Sequence, residues 1–306
     1  MSLTEPERSP AVVVTVAMPV LNGGPDLALA IRSICNQSFR DWELLILDDG
    51  STDGSLEHLD VNDDRVFVLG DSQNRGLSAR LNQAVARARG RYFARMDHDD
   101  VSHPERLLRQ FEFLESHPGI DLLGTRCVTI DEQERLLGEL PQRSTHEEIC
   151  RRPWLGFYLA HPTWMGRTEW FRRNPYRDPG PYRCEDQELL LRTYEVSQFA
   201  ALPEPLLAYR IRRHTKLSTL FRTRLALVAE QVRYFSRKAR YDFCVLATLA
   251  AVARMLSDTL SWRGGRAPPL HREERLLPGE MDFDWQRWFK EIRRELLELN
   301  GARRDP

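Results

Sequence analysis

From Val12 to about Ile130, short apolar runs alternate with stretches of helical periodicity, which predicts βαβ units on a largely parallel sheet. Val12 to Ala17 reads as a buried strand and Trp42 to Leu47 as a second; Arg65 to Leu69 and Arg91 to Met96 make a third and fourth. After the turn Asn22-Gly23-Gly24-Pro25-Asp26, Leu27, Ala30, Ile31 and Ile34 recur at helical spacing, so one face of that helix packs on the sheet. The second strand runs into Asp48-Asp49-Gly50-Ser51-Thr52-Asp53, where Gly50 turns the chain and Ser51 or Asp53 is placed to cap a following helix. Another helix carries Leu77, Leu81, Ala84, Val85 and Ala88. Pro104 suits the first position of the next, with Leu107, Leu108, Phe111 and Leu114 on one face and a stop before Pro118.

The alternation fades beyond residue 120. Residues 120–215 mix short strands with loops rich in proline (Pro153, Pro162, Pro175, Pro179, Pro181), the composition of a binding half built from loops. From Phe221 to Leu256 the chain is helical, Gly264 to Pro269 breaks the pattern, and a last helix covers about Trp285 to Leu299. The expected division is a catalytic unit over 1–218, with halves at about 11–130 and 131–218, and a helical C-terminal extension over 219–306.

Composition narrows the function classes. With 42% hydrophobic and 29% charged residues and a formal net charge of -1 over 306 residues, nothing draws the whole chain to nucleic acid or to an anionic membrane, so any polyanion is bound locally. Cys35, Cys127, Cys150, Cys184 and Cys244 are widely spaced and form no CxxC pair, so they are expected as reduced thiols. Met1 to Pro10 lacks the basic start of a secretory signal, which predicts a cytoplasmic location. The longest apolar stretch, Phe243 to Ala253, ends at Arg254 and falls short of the roughly 17 to 25 residues that span a bilayer, so no transmembrane helix is expected there. Trp285, Trp288 and Phe289 beside Arg287, Lys290, Arg293 and Arg294 leave three roles open for the last helix: packing on the catalytic unit, self-association as a homodimer, or peripheral contact with the inner membrane face.

Two acidic clusters then stand out because both fall at strand carboxyl ends, the edge where open α/β sheets bind ligands. Asp97-His98-Asp99-Asp100 puts three carboxylates within four residues; their repulsion is relieved by solvent or by a hard divalent cation. Asp48-Asp49-Gly50-Ser51 offers a carboxylate to a ring N–H and hydroxyls to a ribose, and equally reads as a capping turn.

The sequence resembles the family 2 glycosyltransferases. The matching residues are Met18-Pro19-Val20-Leu21-Asn22, Asp48-Asp49-Gly50-Ser51-Thr52-Asp53, Asn74-Arg75-Gly76-Leu77-Ser78, Arg95-Met96-Asp97-His98-Asp99-Asp100, His161-Pro162-Thr163, Glu185-Asp186 and Tyr209-Arg210 with His214, in the family's order across roughly residues 12 to 218. The resemblance implies a GT-A type fold, α/β with a Rossmann-like mostly parallel sheet flanked by helices, its first half binding the donor and its second the acceptor. It implies an inverting transfer from a UDP-, dTDP- or GDP-linked sugar to a glycan or lipid-linked acceptor in cell-surface polysaccharide biosynthesis, with Mn2+ or Mg2+ as cofactor. At matched positions, Asp186 would be the general base. Pro19, Asn22, Asp49, Ser51, Arg80 and Asp97 would bind the donor, and His161, Glu185 and Arg210 would serve the acceptor or diphosphate side. Asp99 and Asp97, with His214, would hold the metal.

There is one departure: many relatives carry arginine directly before the asparagine that here is Asn82, whereas this chain has Leu81 there and Arg80 one place earlier, so the diphosphate contact of that arginine would fall to Arg80 or Arg75, Arg80 being nearer the expected position. A sugar nucleotidylyltransferase also binds a nucleotide on an α/β sheet, but its first loop is normally Gly-rich and basic, and Asn22-Gly23-Gly24-Pro25 has no Lys or Arg. A glycan-binding relative without activity would lose its acids, and Asp49, Asp97, Asp99 and Asp186 are all present.

Overall fold

The computed structural model describes residues 12–57, 59, 63–211, 216–263 and 283–301. Chain order is β1 (Val14–Val20), α1 (Asp26–Cys35), β2 (Trp42–Asp48), β3 (Val66–Gly70), α2 (Leu77–Arg87), β4 (Tyr92–Arg95), β5 (Val101–Ser102), α3 (Arg106–Ser116), β6 (Leu122–Ile130), β7 (Leu136–Glu139) and α4 (His146–Cys150). A 3-10 turn, His161–Thr163, precedes β8 (Met165–Arg167), α5 (Thr168–Arg173), α6 (Glu185–Thr193), β9 (Phe199–Arg210), α7 (Leu217–Arg237), α8 (Tyr241–Arg263) and α9 (Trp285–Gly301).

The strands form one sheet in the order β3-β2-β1-β4-β8-β6-β9-β5, with β7 paired to β6. The first four are mutually parallel; β8 and β5 run against their neighbours. Strand order reverses at β1, between β2 and β4, and this leaves a crevice beyond the carboxyl ends of those strands. Alternate residues of β1 and β2 serve opposite faces. Val14, Val16, Met18, Trp42, Leu44 and Ile46 pack in one cluster with α1 and α3, while Ala17, Leu45 and Leu47 pack in another with α2, α5 and α6. Burial on both faces is why these strands read as unbroken apolar runs.

The structure corrects the sequence reading in three places. No helix follows β2 among the described residues; Ser51 and Asp53 instead accept the backbone N–H groups of Asn22 and Gly24, tying the β2 loop to the β1 loop at 3.0 and 2.9 Å. The second half holds long strands as well as loops. β9 has 12 residues despite Pro203 and Pro205, because register shifts beside Thr125 and Arg126 absorb the missing donors. Finally, α8 runs for 23 residues, and Tyr241–Trp262 is by length and composition apolar enough to cross a membrane, with a mean hydropathy of 1.5. Arg254 does not interrupt it, because its side chain turns inward and donates to the Leu155 carbonyl.

α9 packs on the sheet end. Trp285, Phe289 and Ile292 are buried against Leu29, Val101, Val128, Ile130 and Ala208, each worth roughly 1.5 to 3 kcal/mol of apolar burial. Trp288 Nε1 donates to the Ser102 carbonyl, Arg32 and Asn36 grip Glu295, and Arg293 pairs with Glu134. The aromatic face of the last helix is therefore spent inside the molecule. All five cysteines are free thiols.

Candidate active site

The acidic run occupies the stretch that leaves β4 in mid-sheet and rejoins it at the edge strand β5. Its far end is pinned by the last residue of β9: Arg210 N donates to Asp100 Oδ1 at 2.9 Å and Arg210 Nε to the Asp99 carbonyl at 2.8 Å. His98 Nδ1 lies 3.4 Å from the Pro19 carbonyl, which joins the run to the end of β1.

Asp97 is clamped by both terminal nitrogens of Arg95, a residue only 3% exposed at the end of β4. Burial, then repulsion from Asp99, pushes the Asp97 carboxyl up against the opposing pull of Arg95. The Asp100 carboxyl is raised well above its ordinary range by burial and by Asp97 and Asp99, and its Oδ2 is buried without a hydrogen-bond partner.

Glu185 and Asp186 open α6, where the helix N-terminus favours negative charge. The fold brings these half-buried carboxyls near half-buried Asp97, since Arg95 acts electrostatically on Asp97, Glu185 and Asp186 alike. Burial and the neighbouring Asp186 push Glu185 up to about 7, and Asp186 is raised chiefly by burial. Gln187 orients the pair: its Nε2 donates to Asp186 Oδ2 at 3.2 Å while its Oε1 accepts Phe157 N–H at 2.8 Å. That arrangement requires Gly156, whose φ is +97° and where a Cβ would sit 2.7 Å from Gln187 Oε1.

His161 is buried, shares a 2.8 Å hydrogen bond with the Tyr176 hydroxyl, and has Nδ1 3.8 Å from Glu185. Burial and the charge of Arg95 hold its imidazole well below the usual range, so it is neutral at pH 7. Asn82 on α2 grips Tyr176 twice, donating to its carbonyl at 2.8 Å and accepting its N–H at 2.9 Å. Arg95, Tyr176, Gln187 and Asn82 were given no role from the sequence. The available signals were a charge inside the apolar strand Tyr92-Phe93-Ala94-Arg95 and the position of Asn82 beside the missing arginine.

Asp49, 6% exposed, sits two strands from the acidic run, about 10 Å at ordinary strand spacing. Its Oδ1 accepts Arg75 N–H at 2.7 Å and Arg80 Nε at 3.0 Å, and Gly76 N–H at the start of α2 reaches both of its oxygens. Pro19 near the end of β1 and Asn22 in the loop after it lie nearby, Asn22 accepting Thr52 N–H and its own N–H donating to Ser51.

Two expected contacts change character. Arg80 is fully buried, and its nitrogens go to Asp49, Asp71, Gln83 and the Gln73 carbonyl, so in this structure it braces Asp49. The Arg210 side chain is 1% exposed behind the acidic run, close to Asp26 and Glu134, and braces that run in the same way. His214 lies outside the described residues.

Among the described residues, no three His, Cys, Asp or Glu side chains form a ready-made metal cage. The donor set nonetheless fits Mg2+ or Mn2+, which are commonly held by one or two carboxylates with substrate phosphates completing the shell. The partnerless Asp100 Oδ2 and the crowding of Asp97, Asp99 and Asp100 concentrate negative charge that such a cation would offset.

The profile described as "Glycosyl transferase family 2" matches residues 15–174. EpsE of Bacillus subtilis, a protein described as a glycosyltransferase, is 35% identical over 192 residues, 60% of this chain and 66% of that protein, just under two thirds of its length. The O-antigen biosynthesis glycosyltransferase WbnJ of Escherichia coli is 31% identical over 209 residues, 65% of this chain and 80% of that protein. Among solved structures, S. aureus TarS 1-349 in complex with UDP-GlcNAc superposes with a TM-score of 0.56 at 15% identity, over 89% of this chain and 97% of that one. The mannosyltransferase PcManGT from Pyrobaculum calidifontis, in complex with GDP-Man and Mn2+, gives 0.53 at 15% identity over 91% and 83%. These two similarities establish the GT-A architecture. The family profile covers more than half of the 306 residues, and on that ground this chain belongs to glycosyl transferase family 2.

Proposed function

We propose that the protein is an inverting, divalent-cation-assisted glycosyltransferase that moves a sugar from a nucleoside-diphosphate donor to a hydroxyl of a glycan or lipid-linked acceptor in surface polysaccharide biosynthesis. The observation that carries this reading is the placement of Asp97, paired with the buried Arg95 at the end of β4, within electrostatic reach of Glu185 and two strands from Asp49, which is held at the end of β2. The solved complexes of TarS with UDP-GlcNAc and of PcManGT with GDP-Man support a nucleotide-sugar donor, and the O-antigen role in WbnJ's name supports the polysaccharide context.

In this mechanism Asp49, oriented by Arg80 and the start of α2, receives the donor base, with Pro19, Asn22 and Ser51 shaping the pocket. Asp186 takes the proton of the acceptor hydroxyl as that oxygen attacks C1 from the face opposite the diphosphate, and the configuration inverts. His161 and Tyr176 wall the site with a neutral hydrogen-bonded pair and exclude water. Asp99, with Asp97 alongside, would hold the cation, which supplies Lewis acidity to the leaving diphosphate. No general acid is needed once that leaving group is neutralised.

Purified protein assayed over UDP-, GDP- and dTDP-sugars should bind one donor and turn it over only with Mn2+ or Mg2+; chelation should abolish turnover, and Asp99→Asn should lower it by about 10² or more. Absence of binding to every donor, or full activity after chelation, sinks the proposal.

The raised carboxyls set a pH dependence. A base must be ionised, and burial makes Asp186 hold its proton to higher pH than an ordinary carboxyl, so the transfer rate should climb as pH rises above the usual carboxylate range and then level off. Glu185→Gln removes the repulsion that Glu185 exerts on Asp186 and should move the rising limb to lower pH. A flat profile from pH 5 to 8, a window set by ordinary and raised carboxylate pKa values of roughly 4 to 7, would contradict this assignment.

A further inference from the structure

Along α8 the usual distribution of charge is turned inside out. Val245, Leu249, Val252, Leu256, Leu260 and Trp262 make an exposed stripe at helical spacing, with Leu260 70% and Leu256 61% accessible. Between Phe243 and Trp262 no exposed position is charged. At the rise of an α-helix this stretch is about 30 Å of solvent-facing hydrocarbon, far beyond scattered surface apolars that need no explanation. The two charges in the segment point inward: Arg254 donates to the Leu155 carbonyl at 2.8 Å, and Asp258, 2% exposed, faces Arg224 at 3.4 Å.

The rim of this stripe is basic. Exposed charges on α7 and the turn to α8 are Arg222, Arg233, Arg237, Lys238 and Arg240, against two exposed acids, Asp242 tied to Arg240 and Glu195 beyond α6 tied to Lys238, which leaves the balance basic. The only acid of α7, Glu230, is buried under Arg177 and Arg233. A second copy docked on the same stripe would bring two basic rims together, whereas an anionic lipid surface attracts them. The inner face of α8, with Ala247 and Ala251 buried, is held against α7 and Trp154, so only one side is offered. That geometry suits a helix lying on a bilayer and not one crossing it.

We propose that the outer face of α8 docks the protein on an anionic phospholipid surface. Docking holds the transferase at the plane where a lipid-linked acceptor would be presented.

The full chain is tested by flotation with vesicles of phosphatidylcholine alone and of phosphatidylcholine mixed with phosphatidylglycerol, alongside light-scattering mass in vesicle-free buffer. The wild type should float with the anionic vesicles and bind the neutral ones about tenfold more weakly or less. Leu249→Glu combined with Leu256→Glu, both on solvent-facing positions away from the catalytic residues, should lose about tenfold or more of vesicle binding with unchanged mass and melting temperature. Failure of the wild type to float, floating unaffected by the double substitution, or a stable dimer that the substitution splits would overturn the proposal, the last assigning the stripe to a second copy. Donor affinity, read separately by calorimetry, keeps this outcome distinct from failure of the transferase reading.

Discussion

Asp186→Asn is expected to lower sugar transfer by about 10² to 10⁴-fold, the usual worth of a positioned base, while donor affinity stays within about threefold of wild type. The substitution keeps the size of the side chain and its contact with Gln187, which already holds Phe157 through its own amide. What disappears is the proton acceptor. Because Asp186 sits at the start of α6 and Asp49 lies beyond the far side of β1, base removal and donor recognition should separate cleanly in the measurements. Transfer at the wild-type rate would remove Asp186 from the chemistry. Loss of transfer in Glu185→Gln with full activity in Asp186→Asn would exchange the roles of the pair.

Arg95→Met should destabilise the protein by about 3 to 5 kcal/mol, the cost of taking one partner from a buried charge pair, and lower the melting midpoint by roughly 10 °C in a chain of this size. Arg95 opposes the burial penalty on Asp97 and lies within electrostatic reach of Glu185 and Asp186, so its loss leaves several half-buried carboxylates without that compensation. The sign of the pH effect follows. Those carboxyls would hold their protons still more strongly in the folded state, so the deficit should shrink as pH falls and they become neutral, and grow as pH rises. Adding Asp97→Asn should restore part of the stability. A melting curve unchanged by Arg95→Met, or a deficit that does not vary with pH, would show that the cluster does not depend on this arginine.

The donor half was legible because its strands are buried on both faces. Val14 to Val20 and Trp42 to Asp48 carry no polar interruption that reaches solvent, and each ends in residues a ligand can use. β9 was not legible, since Pro203 and Pro205 argue against a strand and only the bulged pairing with β6 accommodates them. The acidic run and Glu185-Asp186 were visible as residue types, yet nothing in the chain says that both feel the charge of Arg95, because that proximity is created by folding across some 90 positions. Arg80 and Arg210 show the complementary limit. Sequence marks an arginine near a phosphate motif, but only packing tells whether its guanidinium faces the ligand or is consumed bracing a carboxylate. Arg80 falls within the apolar stripe of α2, a position where burial, and hence acidic partners, is the simpler expectation.

α9 ties the most C-terminal described segment to the earliest. Arg293 grips Glu134, Glu134 approaches Arg210, and Arg210 fastens Asp99 and Asp100, while Glu295 reaches back to Arg32 across 263 positions. During synthesis the parallel strands emerge first, yet the patch of Leu29, Val128, Ile130 and Ala208 stays bare until this late segment arrives to cover it. A ribosome that stalls before residue 285 thus releases a chain with an open apolar flank and a loosely fastened acidic loop. A chain lacking this segment should therefore present that flank to chaperones and proteases and hold Asp99 and Asp100 less firmly.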